Sequence, residues 1–88
     1  MTKTFNFELV SPEEKLISES VWQVTIPGEE GDFSVRANHS ALVSSIRVGT
    51  VIVKSSPDAA PRHIKIDGGF ADVSATQCTI LAEQAEEI

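Results

Sequence analysis

Pro27-Gly28-Glu29-Glu30-Gly31-Asp32-Phe33-Ser34-Val35 reads as the end of one β-strand, a tight turn and the start of a second strand. Phe33 and Val35 flank Ser34 with the period-two alternation of a half-buried strand. Two glycines bracket two glutamates, and an aspartate follows at once. Several carboxylates therefore gather at the tip of one loop, with no cation in the turn itself. Such a tip serves a metal, a basic protein surface, or nothing but solvent.

The same alternation runs outward from this hairpin in both directions. Phe5, Phe7 and Leu9 alternate with Asn6 and Glu8; Trp22, Val24 and Ile26 alternate with Gln23 and Thr25. Ile64 and Ile66 flank Lys65, and Cys78, Ile80 and Ala82 alternate with Thr79 and Leu81. Val51-Ile52-Val53 is a continuous β-branched run, suited to a strand covered on both faces. Turn signals separate these runs at short intervals: Ser11-Pro12-Glu13-Glu14, Gly49, the Ser55–Pro61 loop with its two prolines, Asp67-Gly68-Gly69, and Ser74-Ala75-Thr76-Gln77. Residues 37–43 alternate weakly and predict a bend. Many short strands at this spacing point to an all-β fold, a sandwich or barrel. The tail from Glu83 to Ile88 has a helix-forming composition but is too short for a helix to persist alone.

The chain has 88 residues, enough for one domain with one core. Its 41% hydrophobic and 23% charged residues are those of a globular protein. A formal net charge of −6, with seven scattered basic residues, argues against nucleic acid and anionic lipid as partners and favours a basic or neutral protein. One cysteine, Cys78, excludes an intrachain disulfide and favours a reducing compartment. The amino-terminal stretch has no apolar leader core, and no run reaches the length of a membrane span, so a soluble protein is expected.

The sequence carries no P-loop, no GxGxxG and no GxSxG. One cysteine and two histidines cannot build a structural zinc site alone. Glu29, Glu30 and Asp32 do not have EF-hand spacing, which leaves a solvated or partner-facing loop and no metal site. Cys78 sits in an apolar alternating run, as a structural thiol does. Trp22 reads as a core or edge anchor. His39, by its chemistry alone, is either a loop histidine without a role or an interfacial group titrating near neutrality. No catalytic residues and no cofactor are expected.

The ordered set of Leu9-Val10-Ser11-Pro12-Glu13, Val24 to Val35, Asn38-His39-Ser40-Ala41, Ile46-Arg47-Val48-Gly49, Gly68 to Val73 and Thr79-Ile80-Leu81-Ala82-Glu83 resembles the epsilon subunit of the F-type ATP synthase, whose mitochondrial counterpart is called delta. The resemblance covers nearly the whole chain. It implies a β-sandwich of about ten short strands, placed over residues 1–84, followed in the family by a C-terminal helical hairpin; residues 85–88 read as a short tail, and the hairpin is not expected within these residues. It implies a non-catalytic rotor subunit that binds gamma and docks on the c-ring, coupling proton flow to ATP synthesis at the cytoplasmic face of the bacterial inner membrane, with membrane association only through the complex. If these residues are the native chain, inhibition by an extending hairpin is not expected. By the same resemblance, Glu29, Glu30, Gly31 and Asp32 face the c-ring, and Ser11, His39, Ser40, Ala41 and Leu42 face gamma. Four positions depart from the family pattern: Ser34 replaces a glycine, Ser40-Ala41 replaces Ala-Pro, and Arg36 replaces an apolar residue. The competing reading is a free-standing β-sandwich binding module with an acidic recognition loop.

Overall fold

The computed structural model describes residues 3–88. Met1 and Thr2, which open the amino-terminal stretch read above, lie outside the described residues. Ten strands follow in order: β1 (Phe5–Val10), β2 (Lys15–Val21), β3 (Gln23–Gly28), β4 (Gly31–Val35), β5 (Leu42–Ile46), β6 (Gly49–Lys54), β7 (Arg62–Ile66), β8 (Gly69–Val73), β9 (Gln77–Ala82) and β10 (Ala85–Glu87). Their hydrogen-bonded order is β10-β7-β6-β3-β5-β8-β9-β1-β2, with β4 on the other edge of β3. All neighbours are antiparallel except β1 and β9, which run parallel.

The sheet turns over at β3, where β5 joins through one residue pair, Gly28 opposite Ile46. This corner divides the strands into two layers, β4-β3-β6-β7-β10 and β5-β8-β9-β1-β2. Alternation then decides what lies between them. Val24, Ile26, Val35, Val51, Val53, Ile64 and Ile66 of the first layer are buried with Phe5, Phe7, Leu9, Val21, Ile46, Val73 and Ile80 of the second in one apolar cluster. Removing such side chains from water is worth roughly 1.5–3 kcal/mol each, and this holds the layers together. The ladder hydrogen bonds set the register. Among the described residues, no polar or charged side chain is buried.

One local reading needs correction, and two strands lie outside the alternation pattern. Val51 and Val53 are fully buried, but Ile52 is only half-buried on the outer surface, so β6 is covered on one face. Its β-branched run reports strand propensity, not two-sided burial. The tail is not helical: Ala85–Glu87 pairs with Ile64–Ile66, because the open edge of β7 offers main-chain partners that outweigh local helix propensity. Strand β2 was not marked by alternation. It is an edge strand in which only Val21 is buried, so most of its positions carry no core pattern.

Arg62 ties the open side of the sandwich. Its Nε and Nη2 each donate to the Glu87 carboxylate of β10 at 2.8 Å, and its Nη1 donates to Glu19 of β2. One guanidinium thus links both layers, and its hydrogen bonds to Glu87 hold that carboxyl below the usual range. The groups are roughly one-third to one-half exposed, so the bridge orients the edges more than it stabilises them.

Candidate docking site

Strands β3 and β4 form a hairpin with Glu29 and Glu30 as its two-residue turn, closed by Gly28 opposite Gly31. Gly31 adopts φ +133°, a region that favours glycine. Gly28 is required by space: a Cβ there would stand 2.7 Å from the Gly31 carbonyl oxygen and 3.0 Å from the Phe33 ring. Ser34 keeps ordinary strand backbone, since Asn38 is the one non-glycine with positive φ among the described residues. Its hydroxyl lies 3.1 Å from that of Thr25 across the hairpin.

The structure divides the acidic tip. The turn holds no cation, but Arg47, from the β5–β6 connection, reaches it from outside. Its Nη2 donates to Asp32 Oδ1 and its Nη1 to the Gly28 carbonyl, both at 2.6 Å. The Arg47 amide donates to the Pro27 carbonyl at 2.9 Å, and the Glu29 amide donates to the Ser45 carbonyl at 3.1 Å. Asp32 is thereby paired and spent on aiming the hairpin. Glu29 and Glu30 project at the turn, with no salt bridge among the described residues. The sequence treats these three carboxylates alike; only the fold brings Arg47 to one of them.

The hairpin borders a groove shared with Leu42, Val43 and Ser44 of β5. This places Leu42 beside the acidic tip. His39, Ser40 and Ala41 follow the turn at Ala37 and Asn38 and lead into β5. There the His39 Nδ1 lies 2.7 Å from the Ser40 carbonyl, and the Asn38 amide donates to the Ala75 carbonyl at 2.8 Å. Ser11 lies elsewhere. It follows β1 and closes the β1–β2 turn, its amide donating to the Glu14 carbonyl at 2.9 Å and its hydroxyl accepting from the Glu14 amide. Register sets it near the Ile46–Gly69–Ala82 end of the layer, whereas Leu42 lies at the opposite end, opposite Val73. Leu42, opposite buried Val73, has the inward parity of β5, so Ser11 and the His39–Leu42 segment lie at two ends of this layer and do not form a cluster.

An apolar row fills the space between those ends. Ser45, Phe70, Leu81 and Val10 stand side by side across β5, β8, β9 and β1. Phe70 is 57% exposed and Leu81 52%, and Val43, one outward position further along β5, is 70% exposed. Charged and polar groups flank them, with Asp72 opposite Val43 and Thr79 opposite Asp72. Sequence reasoning missed Val43, Phe70 and Leu81. The signal was present: if Ile80 and Ala82 point inward, Leu81 points outward.

Cys78 stands opposite Val73 and beside Phe7, fully buried. Burial, helped by the Asp72 carboxylate, pushes its thiol up to about 12. The folded state thus keeps a proton that the unfolded thiol releases near its ordinary value of 9.0. This contribution to stability is complete below that value and is lost as pH rises from there toward 12. We expect Cys78 to resist a thiol-specific disulfide reagent at pH 8 in the native protein and to react within minutes in denaturant. Rapid native labelling would show that β9 opens locally. Among the described residues, no three or more His, Cys, Asp and Glu side chains gather to hold a metal ion, and no helix is long and apolar enough to cross a membrane.

An acidic hairpin at one end and an apolar row along one outer sheet are the exposed features of an all-β sandwich domain. A family model described as "ATP synthase, Delta/Epsilon chain, beta-sandwich domain" matches residues 4–88, and the chain belongs to that family. It is 48% identical over 88 residues to the ATP synthase epsilon chain of Sinorhizobium medicae (strain WSM419) and 46% identical over 88 residues to that of Rhizobium meliloti (strain 1021). Both matches cover 100% of this chain and 65% of the relative, so the chain spans about two-thirds of the length of these curated relatives. Among solved structures, a chain of the Euglena gracilis mitochondrial ATP synthase, determined as the OSCP/F1/c-ring assembly, superposes with a TM-score of 0.88 at 26% identity, covering 96% of this chain and 53% of that one.

Proposed function

We propose that this domain is a non-catalytic central-stalk component of a proton-translocating ATP synthase, binding gamma through the outer face of β5-β8-β9-β1 and resting on the c-ring through the Glu29-Glu30 turn. The observation that carries the first half is the exposed Val43, Phe70 and Leu81 set, bounded by Ser11 at one end and the His39–Leu42 segment at the other. The second half is supported by a turn whose two glutamates are exposed while Arg47 and the sheet corner hold the hairpin. Charges on such a turn orient a contact and speed encounter more than they add affinity. A close-packed sandwich suits a part that transmits torque, because protein interiors compress little. The site would lie at the cytoplasmic face of the bacterial inner membrane, reached through the complex.

The test is charge reversal in the assembled synthase, reconstituted in vesicles. Changing Glu30 and Asp32 together to lysine is expected to lower proton pumping per ATP hydrolysed severalfold. The Glu29→Lys, Glu30→Lys pair, which leaves the Asp32–Arg47 contact intact, is expected to do nearly the same. Wild-type coupling in both variants would remove the hairpin from the c-ring interface.

A further inference from the structure

The outer face of the other layer has a different chemistry. On a chain of net charge −6 with seven basic residues, register brings Arg36, Lys54, Lys65 and His63 to one side of β4-β3-β6-β7. Lys54 stands opposite Gln23, whose Oε1 accepts from Arg36 Nε at 2.7 Å. Both cations flank one ring: the Arg36 guanidinium carbon lies 4.2 Å from the Trp22 centroid and Lys54 Nζ 5.6 Å from it. Lys54 Nζ also donates to the Pro57 carbonyl at 3.1 Å, so both heads are held in place. His63 faces Ile52, and Lys65 faces Thr50 on one side and Glu86 on the other. The hydroxyls of Thr25 and Ser34 complete the surface between them.

We infer that this face is a second docking surface, and that its occupant is an acidic segment of a partner protein. Two cations ordered on an aromatic ring lose little side-chain freedom when they meet a carboxylate, and both keep N–H groups that no protein acceptor uses among the described residues. Strands lie about 4.8 Å apart, so the Trp22 cluster and Lys65 are separated by roughly 10 Å or more, beyond the reach of one small anion. A peptide presenting several carboxylates in series spans that distance. Long polyanions are disfavoured, because they must also approach the acidic remainder of the chain. This surface is distinct from the gamma and c-ring faces proposed above, and its test needs neither partner.

Trp22 is the single tryptophan and reports on the site directly. The full chain would be titrated with a ten-residue oligoglutamate while Trp22 emission is followed, at low and at moderate salt. A saturable change that weakens with salt is expected, with affinity reduced about tenfold or more in the Arg36→Gln, Lys54→Gln variant and much less in Lys3→Gln, Lys15→Gln, which removes the same charge at and before the β1–β2 pair of the other layer. Three outcomes overturn the inference: no saturable response, equal binding by the Arg36→Gln, Lys54→Gln variant in a parallel NMR titration, or tighter binding of inorganic phosphate or heparin through the same two residues, which would assign the face to a different anion.

Discussion

Replacing Gly69 with alanine is expected to lower stability by about 3–5 kcal/mol, the largest loss from a one-carbon change in this domain. Gly69 adopts φ +144°, and Gly68 before it φ +114°. It opens β8 between two ladders, opposite Ile46 on β5 and Ala82 on β9. A Cβ there would fall well inside contact distance of the Leu81 carbonyl oxygen and within 2.9 Å of the Leu81 carbonyl carbon. Those atoms belong to the backbone of a central strand, so no rotamer change can relieve the overlap. The strand pair must separate, or the two-glycine bend must be rebuilt. Gly31→Ala is the control. Its φ of +133° is also unfavourable for a side chain, but nothing lies within 4 Å of the added carbon. That variant is expected to lose only about 1–2 kcal/mol, from strain alone. For a domain of this size each kcal/mol moves Tm by about 4–8 °C, so melts followed by circular dichroism should separate the variants by at least about 4 °C. Equal melting points would mean that the Leu81 backbone yields easily and that Gly69 is not the pivot of β8.

Substitution of Phe70 by glutamate is expected to do the reverse: weaken association strongly while leaving the fold intact. Phe70 is more exposed than buried, and its outward neighbours are Ser45 and Leu81, so the native packing loses little. Stability should change by roughly 0.5 kcal/mol or less. At the centre of a partner interface the same change buries an unpaired carboxylate and removes an aromatic anchor, a combination that costs about 2–4 kcal/mol at a hot spot. Calorimetric titration with the purified gamma subunit should show Kd rising by about 30-fold or more. Val43→Glu, on the same face, should act in the same direction. If gamma binds the Phe70→Glu protein with wild-type affinity, the apolar row is not the gamma face, whatever the hairpin variants do to coupling. The two experiments therefore test the two halves of the proposed function separately.

How much of this was legible before the structure depends on the physical range of each feature. Strand alternation is local, so Phe5-Phe7-Leu9, Val24-Ile26, Ile64-Ile66 and Cys78-Ile80-Ala82 announce both their strands and their buried faces. The hairpin turn is likewise local: Gly28 and Gly31 serve a close approach and a positive φ within four residues of each other. Edge strands carry weaker marks. Strand β2 buries only Val21, and β10 exists because β7 leaves an open edge beside it.

By itself, then, the sequence determined an all-β sandwich, the acidic β3–β4 turn and the family, because each rests on patterns repeated over a few residues or on their order along the chain. The tertiary structure alone decided which carboxylates of that turn remain available. Arg47 lies 15 residues from Asp32 and meets it only because the sheet turns over at Gly28 and Ile46. It also decided that Val43, Phe70 and Leu81 share one outer face, and that Arg36 and Lys54 share the ring of Trp22. These are cross-strand neighbours. Their proximity depends on register and on how the sheet folds over, quantities set by the packing of the whole core and not by any segment alone.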